Sequence, residues 1–345
     1  MNNCITAKKD CQDQYVQDVQ RKLAKLQTKK AYNKKVVSWL AEKKQDQERA
    51  DAVHQCATFI EFERAENTAR ITKANFCRQR LCHVCAWRRQ AKFLSQMTPI
   101  LDELSKEYLF VFATLTVKNA PLSDLSATVD SMMTAYNKLL GRKRIQQAFA
   151  GCVRSLELTY NPDLDSFHPH IHMLIAVRPD YYYNPSLYVS QKELVRMWQS
   201  CLGVDYVPVC HIEGVRGEKR AEVEVLKYSL KPSKYESALE AFGYVLKGRR
   251  LVSFSGIFAK YRKQFDREMD GALTDGTAGN MASTLCYRFD VTGGVYKFFE
   301  LYNMKGELNY DEVIKINESI AERSSAIYDI TKRTSEPHRV ASIDI

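Results

Sequence analysis

Residues 168–172 read His-Pro-His-Ile-His and run directly into the apolar stretch MLIAV. Alternation of this kind predicts a β-strand, because side chains two residues apart share a face. His170 and His172 then project together while Ile171 turns to a core. Two imidazoles about 7 Å apart along a strand can share a divalent ion if a neighbouring strand supplies a third ligand. The preceding strand-like run CVRSLELTYN (152–161) offers Glu157, and the turn-rich NPDLDSF joins the two. A two-histidine, one-carboxylate set with open positions suits a catalytic ion that must still bind substrate oxygens. His168 shares the face but precedes Pro169, as an outer ligand or a proton donor. A lone histidine is usually structural, but three in alternation ahead of an apolar run are not explained that way.

Cysteines supply the second constraint. Cys77, Cys82 and Cys85 are tightly spaced, with Cys56 a short distance upstream. Four soft ligands of this kind suit a tetrahedral structural Zn2+, with His54 and His83 as replacements for one of them. ATFIEFERA (57–65) and TARITKANF (68–76) alternate as two strands, so a hairpin would bring Cys56 to the other three. The alternative is a group of small buried thiols near a helix start. Arg78, Arg80, Arg88, Arg89 and Lys92 surround the cluster and form a plausible duplex-binding surface or a solvated face.

The chain of 345 residues carries net charge +10. Residues 1–92 hold 20 Lys+Arg against 10 Asp+Glu, and the remainder holds 31 of each. A basic segment ahead of a neutral body fits a polyanion binder. No apolar run reaches the roughly 20 residues of a membrane helix, and the start lacks a secretory signal, so the expected compartment is the cytoplasm, with no membrane partner. Residues 13–50 lack Gly and Pro and read as a basic, solvent-facing helical arm. From Tyr108 onward the order β-α-β-β-α-β-α predicts an α+β fold, a split βαβ sheet of the ferredoxin/RRM-like kind with helices on one face. The expected divisions are 1–50, the arm; 51–100, a zinc-binding, Arg-rich module; 101–268, the α+β domain; and 269–345, a linker and C-terminal segment with a strand-like CYRFDVTGGVYKFFELYN.

In AEVEVLKYSLKPSKY (221–235), Glu224, Tyr228 and Lys231 fall on one helix face, with Lys227 before the tyrosine. A tyrosine can attack phosphorus where a metal withdraws charge from the phosphate and a cation favours phenolate. A carboxylate one turn away can position or deprotonate a later water. By itself, a tyrosine among lysines is usually inert.

FATLTVKN (112–119), HPHIHMLIAV (168–177) and EVLKYSLK (224–231) resemble, in order, the three motifs of rolling-circle replication initiators of the HUH endonuclease superfamily. NFCRQRLCHVCAWRR (75–89) is similar to the cysteine/arginine stretch of the small bacterial plasmid branch, and the resemblance covers about Cys56 to Phe265. It implies an antiparallel sheet of about five strands with the histidine pair on a central strand. It implies Mg2+ or Mn2+ on His170 and His172, with Glu157 as a third ligand. It implies Tyr228 as nucleophile, with Tyr235 and Tyr244 as nearby alternatives, and Glu224 as the carboxylate that activates water at termination. The products implied are a 5′-phosphotyrosyl link and a free 3′-hydroxyl that primes synthesis. Origin DNA, duplex and single-stranded, would be the partner. With no GxxxxGK[ST] motif for a built-in helicase, a host helicase and polymerase would complete replication, and a symmetric origin would imply a homodimer. An HUH transposase or relaxase shares the chemistry, and a non-catalytic zinc-dependent DNA-binding regulator is the reading from another class.

Overall fold

A computed structural model describes residues 2–65, 68–215, 236–264, 284–290 and 294–302. The chain divides into two units, residues 1–85 with 277–345, and residues 86–276.

In the first unit, α1 (Asn2–Ala41) and α2 (Gln47–Gln55) accompany a four-stranded antiparallel sheet. Its strands are β1 (Phe59–Ala65), β2 (Thr68–Ala74), β8 (Thr284–Asp290) and β9 (Val295–Tyr302), in the order β2-β1-β8-β9. The hairpin expected at 57–76 is present, and the strand-like stretch near the C-terminal end joins its sheet, Ile60 pairing with Tyr287. Helix α1 corrects the expectation of a solvent-facing arm. Tyr15, Val19, Leu23, Leu26, Val36 and Leu40 are all buried, a helical stripe that the high lysine content concealed. Asp18 and Lys22, from the same helix, bond the backbone N–H and carbonyl of Ala69 at 2.9 and 2.5 Å. This satisfies part of edge strand β2, which would otherwise present open backbone.

The second unit is α+β. Its five-stranded antiparallel sheet has strands β3 (Leu109–Thr116), β4 (Gly151–Asn161), β5 (Ser166–Val177), β6 (Cys210–Gly214) and β7 (Val252–Phe254), in the order β6-β3-β5-β4-β7. β5 lies between β3 and β4 and is antiparallel to both, so β3 and β4 are parallel and the helical crossover between them makes the split βαβ unit. That crossover is α4 (Leu122–Leu140) and α5 (Lys143–Ala148). Gly141 ends the first helix and Arg142 precedes the second.

Helices cover both faces, a correction to the one-faced packing expected. On one face lies α4, whose Tyr136 hydroxyl meets Cys152 Sγ at 3.3 Å, with α6 (Gln191–Leu202) beside it. On the other, Met97, Ile100, Leu101 and Leu104 of α3 (His83–Leu104) pack with Val153, Leu174, Ala176 and Phe258. The physical reason is β5 itself: from Ile171 to Val177 every residue is buried, the mark of a strand covered on both sides. Pro169, unusual in a central strand, falls where β5 has lost β3 as a neighbour, because that ladder ends at the pair Thr116–His170. Among the described residues no helix is long and apolar enough to cross a membrane.

Gly151 opens β4 hard against the backbone after β7. A Cβ there would meet the Ser255 carbonyl oxygen at 2.6 Å and the Ile257 nitrogen at 2.7 Å. Gly151→Ala should therefore cost about 2–3 kcal/mol, read as a lower denaturant midpoint at unchanged slope.

Candidate metal centre and cysteine cluster

The β4–β5 register sets Glu157 opposite His170 and Ser155 opposite His172. Residues directly paired across an antiparallel ladder share a face. His170 Nε2 and His172 Nε2 accordingly converge on one oxygen, Glu157 Oε2, at 2.6 and 2.8 Å. Glu157 and His172 are buried and His170 is partly so. On the far side of each ring, His170 Nδ1 lies 3.0 Å from the His168 carbonyl and His172 Nδ1 lies 3.2 Å from Thr114 Oγ1. A carbonyl only accepts, so His170 Nδ1 carries a proton and its Nε2 is the nitrogen aimed at the shared point. Such outer partners orient imidazoles for a metal. The three donor atoms lie within 4.8 Å of one another, a group that could hold an ion. All three residues expected here are brought together.

Thr114 was not foreseen, since nothing local says which residue of β3 will face His172. His168 contributes its backbone carbonyl, with its ring 5.2 Å from that of His170. Burial, then the charge of His170, holds its imidazole below the ordinary 6.5. Tyr228, Glu224, Lys227, Lys231 and Tyr235 lie outside the described residues; Tyr244 sits in a π-helical turn, Ala241–Val245.

The four cysteines also meet. Cys56 precedes β1, Cys77 follows β2, and Cys82 and Cys85 flank the start of α3. Cys85 Sγ is 3.6 Å from Cys56 Sγ and 3.7 Å from Cys77 Sγ. Four sulfurs bound tetrahedrally at 2.3 Å would be separated by about 3.8 Å, so the spacing fits. Ala57 and Arg78, each directly after a cysteine, adopt φ of 55° and 57°, and the N–H groups of Cys77 and Arg78 point at Cys56 Sγ and Cys85 Sγ at 3.4 and 3.2 Å. Hydrogen bonding with Cys56, Cys77 and Cys85 draws the Cys82 thiol well down, whereas hydrogen bonding with the other three, and then burial, push the Cys56 thiol up. His83 is buried and stacks on Tyr32, while His54 is exposed; the four-ligand group consists of the cysteines alone. Two partners were not foreseen: buried Lys30, whose Nζ bonds the Cys56 carbonyl at 2.7 Å, and Asn33, whose Nδ2 is 3.3 Å from Cys82 Sγ. Both belong to the buried stripe of α1, read from the sequence as solvated. Arg78, Arg88 and Lys92 are exposed, and Arg80 and Arg89 half-buried.

Two histidines on the central strand of a five-stranded antiparallel sheet, met by a carboxylate from the neighbouring strand, are the arrangement of the HUH fold, here in a chain that also carries a four-cysteine knuckle. Residues 68–294 match the family model described as replication protein, and the chain belongs to that family. It is similar to a Protein rep of Streptococcus pneumoniae serotype 2 (strain D39 / NCTC 7466), 36% identical over 62% of this chain and 71% of that one. A Protein rep of Lactiplantibacillus plantarum is 31% identical over 64% and 76%, and one of Bacillus amyloliquefaciens 28% identical over 76% and 84%. No solved structure matches. The family and these relatives make the chain a plasmid replication initiator of the Rep type, as the three motifs implied.

Two outcomes check the sites. Burial pushes the Glu157 carboxyl up, but the bonds and charges of His170 and His172 outweigh it and hold the group below its ordinary 4.5. A carboxyl depressed in the folded state contributes stability above its unfolded pKa and loses it as pH falls through the lower folded value. Melting curves below about pH 4.5 should thus fall less steeply for Glu157→Gln than for the wild type. At the cysteines, Co2+ added to chelator-treated protein should give a thiolate-to-metal absorption band that Cys82→Ser abolishes.

Proposed function

We propose that this chain nicks single-stranded plasmid origin DNA, acting in the cytoplasm as a rolling-circle initiator. One observation carries the reading: the convergence of Glu157, His170 and His172 on one face of the sheet at its central strand, in a member of the replication protein family. These residues would hold Mg2+ or Mn2+, which when bound withdraws charge from the scissile phosphate. The outer contacts with Thr114 and the His168 carbonyl fix the orientation of both rings.

Tyr228 Oη forms the new bond to phosphorus while the 3′-oxygen departs and takes up a proton. The products are a 5′-phosphotyrosyl link and a 3′-hydroxyl that primes a host polymerase. Lys231, three residues after Tyr228, favours phenolate, and Glu224, four residues before it, positions or deprotonates the water that ends the cycle. The four cysteines hold structural Zn2+, with no coordination position left for substrate. Arg78, Arg80, Arg88, Arg89 and Lys92, with Lys227, supply phosphate contacts, and a host helicase opens the duplex.

The test mixes wild-type and Tyr228→Phe protein with Mn2+ and single-stranded oligonucleotides tiling the origin, followed by a denaturing gel. An adduct with the wild type alone is expected. An adduct that survives in Tyr228→Phe would move the nucleophile elsewhere, and none from folded wild type on any tile would remove the nicking reading.

A further inference from the structure

Between β5 and α6 the sequence reads RPDYYYNPSLY (178–188). Tyr181 is buried, and its hydroxyl exchanges hydrogen bonds with the Val189 backbone at 3.2 and 3.3 Å. Tyr182 and Tyr188 pack edge-on against it at 5.1 and 5.6 Å, yet remain 43% and 45% exposed, and Tyr183 is 89% exposed. Loose chain would bury such rings. Here the loop is fixed by successive backbone bonds, Tyr183 and Asn184 N–H to the Asp180 carbonyl and Tyr188 N–H to the Asn184 carbonyl. Arg144 clamps it from below, donating to the Ser186 and Tyr188 carbonyls at 2.5 Å each while paired with Glu193 at 2.8 Å. Lys143 and Lys192, the neighbours of that ion pair in sequence, are exposed. An outward Tyr183 beside the half-exposed rings of Tyr182 and Tyr188, on a loop fixed in this way between helices that carry exposed Lys143 and Lys192, is an unusual cost for a soluble surface unless something covers it.

We propose that Tyr182, Tyr183 and Tyr188 with Lys143 and Lys192 form a second nucleic-acid site, which stacks the unpaired bases of single-stranded DNA. An exposed aromatic face can stack only on a base whose own face is free, and in a duplex those faces are covered. Exposed Lys143 and Lys192, in the helices that Arg144 and Glu193 join beneath the loop, supply charge of the sign that phosphates need. The site is separate from the metal centre. Gly214, whose Cβ position would strike the Tyr182 hydroxyl, pairs with Val111, which faces away from the histidines. Along β5, His172 is five residues, about 17 Å, from Val177, the last residue of the strand before the loop. A single strand held here is therefore not the segment being cut.

The proposal rests on the single-stranded substrate argued above, but its test reads binding and not cleavage. Fluorescence anisotropy would compare labelled oligothymidylate with a duplex of equal length, without added divalent metal. Tyr183→Ala, at a position too exposed to affect folding, should weaken single-strand binding about fivefold or more, Tyr183→Phe should stay within about twofold of wild type, and duplex affinity should hold. Replacing Lys143 and Lys192 by Ala should lower the salt slope for the single strand by about 0.7 for each. Unchanged single-strand affinity in Tyr183→Ala would overturn the proposal, as would equal losses in the Phe variant or on duplex. A chain that binds through Tyr183 yet forms no adduct at Tyr228 would leave this site standing and remove nicking alone.

Discussion

The pairing register between β4 and β5 is the constraint on which the rest depends. It sets Glu157 beside His170, and a slip of one residue would turn the carboxylate to the opposite face of the sheet. Two features hold it. At the turn, Asn161 Oδ1 accepts from Asp163 and Leu164 N–H, the Tyr160 hydroxyl donates to Asp165 at 2.7 Å, and Asp165 takes the positive φ of 42° that closes the loop. Along the strand, β5 is buried on both faces from Ile171 to Val177, so a slip by one residue would turn His172 or Glu157 toward the apolar side chains of α4.

A buried carboxylate between two imidazoles is not a device for stability. Removing charged groups from water costs more than the ion pairing commonly returns, and an apolar trio would hold the strands as well. The cluster makes sense as a preorganised ligand set whose desolvation is already complete. The cysteine knuckle follows the same logic on a different scale, since backbone N–H groups aimed at sulfur and the buried Lys30 offset the charge that four thiolates would concentrate.

Local signals made much of this legible in the sequence. A period of two named the histidine strand, alternation named the β1–β2 hairpin, and cysteine spacing named the knuckle, each within a short window. What stayed hidden was non-local. No pattern in α1 told that Lys30 and Asn33 would reach the cysteines, because a buried stripe interrupted by lysines looks like a solvated helix. Thr114 beside His172 depends on β3 pairing across 58 residues. β6 starts at Cys210, two residues after Pro208, which has no N–H to give a backbone ladder although the residues around it are apolar. The tyrosine-bearing stretch, read through its likeness to the third motif, lies outside the described residues.

The first unit joins segments from opposite ends of the sequence: Phe59 pairs with Arg288, and the Tyr296 hydroxyl donates to the Ala57 carbonyl at 2.6 Å, directly beside Cys56. During synthesis the cysteine-bearing hairpin emerges from the ribosome long before the strands that complete its sheet. The five-stranded unit lies wholly between them in the chain and can close first. Until translation passes Tyr302, four thiols wait on an unfinished scaffold. A nascent or truncated chain would thus carry the metal-centre sheet without a finished knuckle, and the order of maturation is written into the strand order.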